Sequence, residues 1–282
     1  MELGRKLLER YGLTHSKRLG QHFLFDRGIL ERIARCAMPL SEDRIVIEVG
    51  PGPCGLTAAI LEICKPRRLY CVEKDVSFEK LHRDFAADHP GKLEFIYGDA
   101  LDIRPQSLTS NQNFSIIANL PYNVGTKLLT NWILDPVGIG KMTLMFQKEV
   151  ANRINAAIGT KAYGRLSVIS QLFCEIERLF DVPAGAFYPM PKVDSTVINL
   201  VPKRTELTTD DINRLQNLTE NCFQKRRKMI HTILKSKYPE PVIKETLAQC
   251  NITPTMRPEE ITPSQFLRLV RHIFRDLALI KN

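Results

Sequence analysis

Residues 44–57 read R-I-V-I-E-V-G-P-G-P-C-G-L-T, and they carry the strongest indication of how this chain folds. Residues 44–49 predict a buried strand, and the apolar positions from Leu56 to Cys64 predict a helix after it. The glycines between them let the chain turn sharply and let a ligand approach the backbone closely. Their spacing, G-x-G-x-x-G, also fits a dinucleotide fold, so the loop alone indicates a nucleotide site without identifying the ligand.

Short β-rich runs alternate with helical patterns after this stretch. We expect strands at 69–73, 93–97, 114–118 and 142–147, and helices at 76–88 and 126–134. This alternation predicts an α/β fold, with a parallel sheet covered by helices on both faces. Two further β-capable runs, 166–180 and 195–201, flank a turn-rich stretch and predict an antiparallel hairpin, with the first run partly helical.

The pattern changes near residue 202. Residues 201–206, V-P-K-R-T-E, have the composition of a linker, and helical periodicity begins after Thr209 and returns from Pro263. No β pattern follows. The sequence therefore predicts a nucleotide-binding domain over residues 1–202 and a small all-helical domain over residues 203–282.

Composition excludes several classes of protein. The chain has 282 residues, of which 44% are hydrophobic and 25% charged, which is typical of a globular protein in solution. No apolar run approaches the ~20 residues that span a bilayer. Residues 1–18 lack the apolar stretch of a signal peptide. We therefore expect a cytoplasmic protein without a membrane segment.

The net charge of +9 is concentrated at the two ends of the chain. Residues 1–24 carry +3 and residues 203–282 carry +6, whereas residues 25–202 are neutral. This asymmetry favours a polyanionic partner, most plausibly nucleic acid. The run Lys225-Arg226-Arg227-Lys228, expected on a helix, and the basic residues Arg5, Lys6, Arg10, Lys17 and Arg18 are the predicted phosphate contacts.

The thiols and imidazoles do not form metal-binding patterns. The seven cysteines are odd in number and include no C-x-x-C pair, and the six histidines lack metal-ligand spacing. We expect reduced cysteines and no metal site.

Acidic residues follow two of the predicted strands. Glu73 closes the second strand, where a carboxylate can accept both ribose hydroxyls of an adenine nucleoside, and Asp99 follows the third, where it can accept from an adenine amino group. NAD and S-adenosylmethionine both fit such a crevice. Glu48, two residues before Gly50, favours a cationic ligand over a pyrophosphate.

Residues 119–123, N-L-P-Y-N, follow the fourth strand and carry the predicted chemistry. Amide and carbonyl oxygens can accept both hydrogens of an exocyclic amine, and the ring of Tyr122 offers a face on which an extruded base can stack. Accepting those hydrogens favours a pyramidal nitrogen whose lone pair points at a methyl donor. Positioning and electrostatics then suffice without a strong base.

With these motifs, the chain resembles the KsgA-type family of small-subunit ribosomal RNA adenine dimethyltransferases. The matching strings occur in family order: L-G-Q-H-F-L (19–24), E-V-G-P-G-P-C-G-L-T (48–57), V-E-K-D (72–75), G-D-A-L (98–101), A-N-L-P-Y-N (118–123), F-Q-K-E-V-A-N-R-I (146–154), F-Y-P-M-P-K-V-D-S (187–195) and F-Q-K-R-R-K (223–228). The resemblance implies a Rossmann-like class I methyltransferase domain that uses S-adenosylmethionine, followed by a helical RNA-binding domain.

The resemblance also implies roles for residues of the cofactor site. His22 and Leu24 lie in the motif that closes over the methionine end of the cofactor, and Gly50 lies under it. Glu73 accepts from the ribose, and Asp99 accepts from the adenine amino group.

Five residues are implied in catalysis. Asn119 sits between the cofactor and the target amine, and it is also a cofactor contact. The carbonyls of Leu120 and Pro121 lie nearby. Tyr122 stacks on the target adenine, and Phe187 covers its other face.

The family implies a monomer that dimethylates two adjacent adenosines near the 3′ end of small-subunit rRNA, on the assembling 30S subunit. Two departures stand out: His22 replaces the usual Asn, which would make its contact to a carboxylate vary with pH, and Cys54 replaces a Gly or Ala. The alternatives are a large-subunit rRNA methylase of the erythromycin-resistance type and a non-catalytic nucleic-acid-binding relative. The string N-L-P-Y-N and the intact acidic residues disfavour them.

Overall fold

The computed structural model describes residues 5–16 and 19–280. The chain forms two compact units, one of Met1–Ala151 with Glu175–Pro202 and one of Asn152–Cys174 with Lys203–Asn282. The second unit thus includes a segment that precedes the expected boundary at residue 202. Among the predicted phosphate contacts, Lys17, Arg18 and the side chain of Arg5 lie outside the described residues.

A seven-stranded sheet forms the centre of the first unit. The described residues form nine strands: β1 Phe23–Leu24, β2 Ile45–Val49, β3 Arg68–Glu73, β4 Leu93–Tyr97, β5 Phe114–Asn119, β6 Ile139–Gln147, β7 Cys174–Val182, β8 Phe187–Tyr188 and β9 Ser195–Pro202. The order in the sheet is β4-β3-β2-β5-β6-β9-β7. Strands β2 to β6 are parallel, and β9 is antiparallel to β6. The α/β prediction is confirmed, in a mixed rather than purely parallel sheet.

Within residues 5–16 and 19–280, twelve α-helices surround the sheet or build the second unit. They are α1 Arg5–Arg10, α2 Arg27–Cys36, α3 Gly55–Ala59, α4 Glu79–Ala87, α5 Pro105–Leu108, α6 Gly125–Leu134, α7 Lys148–Ile154, α8 Arg165–Phe173, α9 Thr209–Gln224, α10 Ile230–Lys235, α11 Glu240–Gln249 and α12 Pro263–Ile280. The helix expected from Leu56 to Cys64 is α3 continued by a π-helical turn, Ile60–Cys64.

Strand β2 lies between β3 and β5, and this central position explains the continuous apolar run by which it was predicted. All five of its residues are buried, because a central parallel strand is covered by helices on both faces. Even Glu48 is only 1% exposed. The strand therefore places its carboxyl end, and the glycine loop after it, in the middle of the sheet edge.

The predicted hairpin from 166 to 201 is more elaborate in the structure. Its first run divides into α8 and β7, and β7 and β9 are neighbours in the sheet. The turn-rich stretch between them contains β8, which pairs antiparallel with β1 in a separate two-stranded sheet. This β1–β8 pair brings Leu24 opposite Phe187 and joins the two distant segments of the first unit.

The second unit is built mainly of helices, α8 to α12, around a core of buried residues from α9, α10, α11 and α12. The expectation that residues 225–228 lie on a helix is wrong. Helix α9 ends at Gln224, and the four charges occupy the turn before α10, with the N–H of Lys228 donating to the carbonyl of Lys225 at 2.8 Å.

Candidate active site

The carboxyl ends of β2, β3, β4 and β5 open into one crevice of the first unit. Nine of the ten predicted site residues line it: His22, Leu24, Gly50, Glu73, Asp99, Asn119, Leu120, Pro121 and Tyr122. Parallel strands bring their carboxyl ends to one edge, and a crevice there is the usual ligand site of an open α/β sheet.

The glycine loop passes close to the end of β5. Gly50 has a φ of +72°, a conformation that side chains disfavour, and its N–H donates to the carbonyl of Val72 at 2.9 Å. A Cβ at this position would lie 3.8 Å from the ring of Pro121 and 4.0 Å from the carbonyl oxygen of Asn119. The missing side chain therefore leaves space between the loop and the predicted catalytic residues.

Glu73 is held by the backbone of its surroundings. One carboxylate oxygen accepts from the N–H of Gly52 at 3.0 Å and the other from the N–H of Asp75 at 2.8 Å. Burial raises the pKa of Glu73, and these two hydrogen bonds oppose the shift by favouring the carboxylate. Each oxygen has a second acceptor site, so the carboxylate can still accept two ribose hydroxyls.

Asp99 is exposed to the crevice and ion-paired. Its carboxylate accepts from the Nζ of Lys74 at 2.6 Å and from the N–H of Leu101 at 2.9 Å. The hydrogen bond from Lys74 and that from Leu101 lower the pKa of Asp99. The side chain is therefore an ionised acceptor near neutral pH, as contact with an adenine amino group requires.

Glu48 lies at the bottom of the crevice in a very different environment. Burial raises its pKa to about 7, and the thiol of Cys71 lies 3.5 Å from one of its oxygens. Near neutral pH the side chain is therefore partly protonated. A cationic ligand in the crevice would favour the charged form, so the carboxylate and such a ligand would stabilise each other.

Asn119 is oriented by a segment far away in the sequence. Its Nδ2 donates to the backbone carbonyl of His22 at 3.3 Å, across 97 positions of the chain. Because the amide nitrogen is engaged, the Oδ1 atom is the end that remains to accept a hydrogen bond. The arrangement suits an acceptor for an amine.

The carbonyls next to Asn119 differ in what they can accept. The carbonyl of Pro121 already accepts from the N–H groups of Val124 and Gly125, at 3.2 and 3.0 Å. These two bonds use both of its acceptor sites. The carbonyl of Leu120 is therefore the better second acceptor for an amine, and Pro121 stiffens the loop.

Tyr122 is held at both its hydroxyl and its ring. The hydroxyl hydrogen-bonds to the Oγ of Ser195 at 2.9 Å, and burial raises the pKa of the phenol. The ring stacks with the imidazole of His22, at 5.3 Å between centroids and 29° between planes. The aromatic face predicted to receive a base is thus held in place before any ligand binds.

His22 is held by contacts of its ring and of its backbone. Its Nδ1 lies 2.7 Å from the carbonyl of Pro189, which can only accept, so Nδ1 carries the proton. The ring packs on Tyr122, and the backbone carbonyl orients Asn119. The predicted contact of the imidazole with a cofactor carboxylate stays a prediction.

Phe187 is the one predicted site residue that does not line the described crevice. It is 5% exposed and packs in the apolar core with residues of β1, opposite Leu24. Its expected place over the target base stays a prediction.

Three contacts escaped the sequence analysis although their residues lie in the matching strings. Lys74 pairs with Asp99, Ser195 binds Tyr122, and Pro189 binds His22. The strings V-E-K-D and F-Y-P-M-P-K-V-D-S contained them, but no spacing rule indicated which partner each would find.

Within 5–16 and 19–280, no group of three or more His, Cys, Asp or Glu side chains is arranged to hold a metal ion. No helix among these residues has the length and apolar character of a membrane span.

Comparison with known proteins gives a consistent result. Residues 12–274 match the family model described as ribosomal RNA adenine dimethylase. The "Ribosomal RNA small subunit methyltransferase A" of Agrobacterium fabrum is 44% identical over 269 residues, covering 94% of this chain and 95% of that protein. The protein of the same name from Phenylobacterium zucineum is 43% identical over 265 residues, covering 94% and 90%.

Solved structures agree with the fold. A dimethyladenosine transferase from Plasmodium falciparum superposes with a TM-score of 0.76 at 27% identity, covering 90% of this chain and 98% of that one. The 23S rRNA methyltransferase ErmE superposes with a TM-score of 0.68 at 28% identity, covering 89% and 99%.

Proposed function

The chain belongs to the ribosomal RNA adenine dimethylase family, and we propose that its crevice holds S-adenosylmethionine beside an adenosine of small-subunit rRNA. The protein is an S-adenosylmethionine-dependent adenine dimethyltransferase of small-subunit rRNA. The observation that carries the assignment of the site is the orientation of Asn119. Its amide nitrogen is engaged by His22, which leaves its oxygen to accept from an amine beside the ring of Tyr122.

The crevice has the hydrogen-bond acceptors and the free space that this cofactor needs. Glu73 offers acceptors for a ribose diol, Asp99 an ionised acceptor for an adenine amino group, and Gly50 leaves the space that a Cβ would fill. Glu48 adds a carboxyl group that becomes more acidic beside a positive charge. These groups suit a cationic nucleoside. Such a ligand has no phosphate, so, unlike NAD, it does not need a helix N-terminus to bind a pyrophosphate.

S-adenosylmethionine, when bound, supplies an electrophilic methyl group on a positively charged sulfur. Asn119 Oδ1 and the carbonyl of Leu120 accept the two hydrogens of the adenine amine, which favours a pyramidal nitrogen. The lone pair of this nitrogen then points at the methyl group instead of delocalising into the ring. Tyr122 holds the extruded base by stacking, so positioning and electrostatics carry the step.

We assign RNA binding to basic residues outside the crevice. This is the function that the sequence predicts for residues 203–282. The turn after α9 contains three exposed cations, and one of them, Lys225, donates to the Oγ of Ser236 at 3.4 Å. Arg227 and Lys228 are the other two, whereas Arg226 is engaged within its own unit. Its guanidinium donates to the carbonyls of Lys161 and Thr160 at 2.7 and 2.8 Å. Contact with phosphate should therefore depend on Arg227 and Lys228.

Charge reversal separates these two roles. In Arg227→Glu/Lys228→Glu, the logarithm of RNA affinity should depend less steeply on the logarithm of salt concentration, by about one unit of slope for each lost contact. Arg226→Glu should instead lower the melting temperature, because it breaks contacts within the second unit. An unchanged salt slope in the double variant would show that these cations do not touch RNA.

The substrate is tested with labelled S-adenosylmethionine and small subunits that lack the modification. We expect two methyl groups on each of two adjacent adenosines near the 3′ end, located by mass spectrometry after digestion. The same reaction on free rRNA tests whether the assembling 30S subunit is the preferred partner. Size-exclusion chromatography with light scattering tests the proposed monomer, and we place the activity in the cytoplasm, where subunits assemble.

The two remaining hypotheses give different results in this assay. In a parallel reaction that also contains large-subunit rRNA, label confined to that RNA would indicate an activity like that named for the 23S rRNA methyltransferase ErmE. RNA binding without any transfer of label would indicate a non-catalytic relative. Either result would overturn the proposed substrate.

A further inference from the structure

One buried histidine lies directly behind the glycine loop and has no part in the mechanism above. His82, on α4, is 1% exposed. Its Nε2 lies 2.8 Å from the carbonyl of Gly52, and its Nδ1 lies 2.8 Å from the hydroxyl of Tyr97. Since a carbonyl only accepts, Nε2 carries the proton, and the Tyr97 hydroxyl donates to Nδ1. The imidazole is therefore neutral and uses both nitrogens.

The ring cannot easily leave this position. It stacks on Phe95 at 4.0 Å between centroids and 7° between planes, and on Phe78 at 5.7 Å and 17°. Phe95 lies on β4, and Phe78 ends the short 3-10 turn that precedes α4. The packing fixes the plane of the imidazole and with it the direction of both hydrogen bonds.

The two partners of His82 connect it to each side chain proposed to bind the nucleoside. Gly52 accepts from His82 through its carbonyl and donates through its N–H to Glu73. Tyr97 ends β4 two residues before Asp99, and the N–H of Gly98 between them donates to the carbonyl of Glu73 at 2.8 Å. The imidazole thus bridges the loop after β2 and the end of β4, on either side of the end of β3.

We propose that His82 is a positioning residue for the nucleoside half of the cofactor site: it sets the spacing between the Gly52 loop, Glu73 and the Asp99 strand end, and thereby the affinity for the adenosine part of the ligand. The proposal rests on the function proposed above, because it takes the ligand to be S-adenosylmethionine. His82 does not touch the reacting atoms, so the rate of methyl transfer from the bound ligand does not depend on it.

The test measures binding of S-adenosylhomocysteine, which has the same nucleoside but no methyl group to transfer. His82→Leu removes the donor to Gly52 and should weaken binding on the order of ten-fold, as expected for loss of one buried hydrogen bond. His82→Gln can carry an N–H to nearly the same place and should stay within about three-fold of wild type. Tyr97→Phe keeps the imidazole and should weaken binding by about two- to three-fold.

A kinetic measurement separates positioning from general damage. In His82→Leu, the KM for S-adenosylmethionine should rise with its dissociation constant, whereas kcat at saturating cofactor and the affinity for small subunits should stay within about two-fold. His89→Leu is the matched control, because His89 lies just beyond the same helix and does not line the crevice. Its binding and kinetic constants should equal those of wild type.

The outcomes distinguish this proposal from the function on which it rests. If wild type binds S-adenosylhomocysteine and folded His82→Leu and Tyr97→Phe bind it equally well, the positioning role is wrong and the proposed function stands. Equal losses of kcat and affinity in His82→Leu, without rescue by glutamine, would also overturn it as a purely structural effect. If wild type does not bind S-adenosylhomocysteine at all, the assigned cofactor site is wrong and this proposal is wrong with it.

Discussion

The nucleoside end and the target end of the crevice are held together in different ways. At the nucleoside end, Glu73 and Asp99 each lie at the carboxyl end of a strand, and each accepts from a backbone N–H two residues further on, those of Asp75 and Leu101. Glu73 also accepts from the N–H of Gly52, 21 positions away. At the target end, the amide of Asn119 and the hydroxyl of Tyr122 bind partners 97 and 73 positions away. The first end therefore combines local hydrogen bonds with a tertiary one, whereas both of these bonds at the second end are tertiary.

This difference has a consequence for function. A carboxylate bonded within its own turn depends less on distant segments than the amide of Asn119, whose partner His22 directly precedes β1. Because β1 pairs with β8, the place of His22 depends on two segments that meet only when the first unit is folded. Substitutions that leave the sheet intact can therefore remove methyl transfer while cofactor binding persists.

Asn119→Ala should break the target end most severely. We expect the single-turnover rate to fall by about 10²–10³, because one preorganised polar group that acts in the transition state is lost. Cofactor affinity should fall little, and RNA affinity should not change. Asn131→Ala, at an exposed position on α6, is the matched control. A rate within a few-fold of wild type in a folded variant would remove Asn119 from the mechanism.

His82, at the nucleoside end, should make the free energy of unfolding depend on pH. Burial lowers the pKa of His82 from 6.5 to about 4. Between about pH 6.5 and pH 4, His82 is therefore protonated in the unfolded chain but neutral in the folded one. The free energy of unfolding falls as pH decreases through this range. The full difference corresponds to about 3 kcal/mol of unfolding free energy.

Glu48 acts in the opposite direction, so wild type alone does not isolate the effect. Its pKa is raised from 4.5 to about 7, and its contribution is lost as pH rises from about 4.5 to 7. Urea unfolding of wild type, His82→Gln and Glu48→Gln between pH 4.5 and 7.5 separates the two. His82→Gln should lose stability less steeply than wild type towards low pH. Parallel curves would contradict this account.

Glu73→Ala should weaken the nucleoside end while sparing the other. Charged hydrogen bonds contribute about 1.5–3 kcal/mol each, so we expect cofactor affinity to fall by tens-fold or more. Small-subunit affinity should remain nearly unchanged because phosphate contacts dominate it. Calorimetry is the measurement, and unchanged binding of S-adenosylmethionine would disprove the ribose assignment.

Ser195→Ala should have the smallest effect and tests whether distant support matters at the target end. Without the Ser195 hydroxyl, the ring of Tyr122 is held less firmly, and kcat/KM for small subunits should fall by about three- to five-fold. Tyr122→Phe should cause a similar loss and the double variant no further loss, because both remove one hydrogen bond. Cofactor affinity is the control and should stay constant, whereas additive losses would show that the two hydroxyls act separately.

The ends of the strands, and the polar residues at these ends, were predictable from the amino-acid sequence. Glu73, Asp99 and Asn119 lie at or just after the ends of apolar β-rich runs, and parallel strands must bring their carboxyl ends to one edge. The glycine loop followed from the same reasoning, since only residues without a Cβ suit a φ such as that of Gly50. These inferences use short-range rules, and the structure places all four residues on the crevice.

Partnerships between distant segments were decided only by tertiary packing. The imidazole of His22 binds the Pro189 carbonyl and stacks on Tyr122, partners that no spacing rule indicated, and its expected contact with a cofactor carboxylate stays a prediction. The charges at 225–228 were expected on a helix, but they occupy a turn. His82 carried no signal in the sequence, because a buried imidazole is identified only by the carbonyl and the hydroxyl that folding brings to it. Periodicity and spacing act over a few residues, whereas these contacts join groups that meet only once the sheet, its helices and the β1–β8 pair have formed.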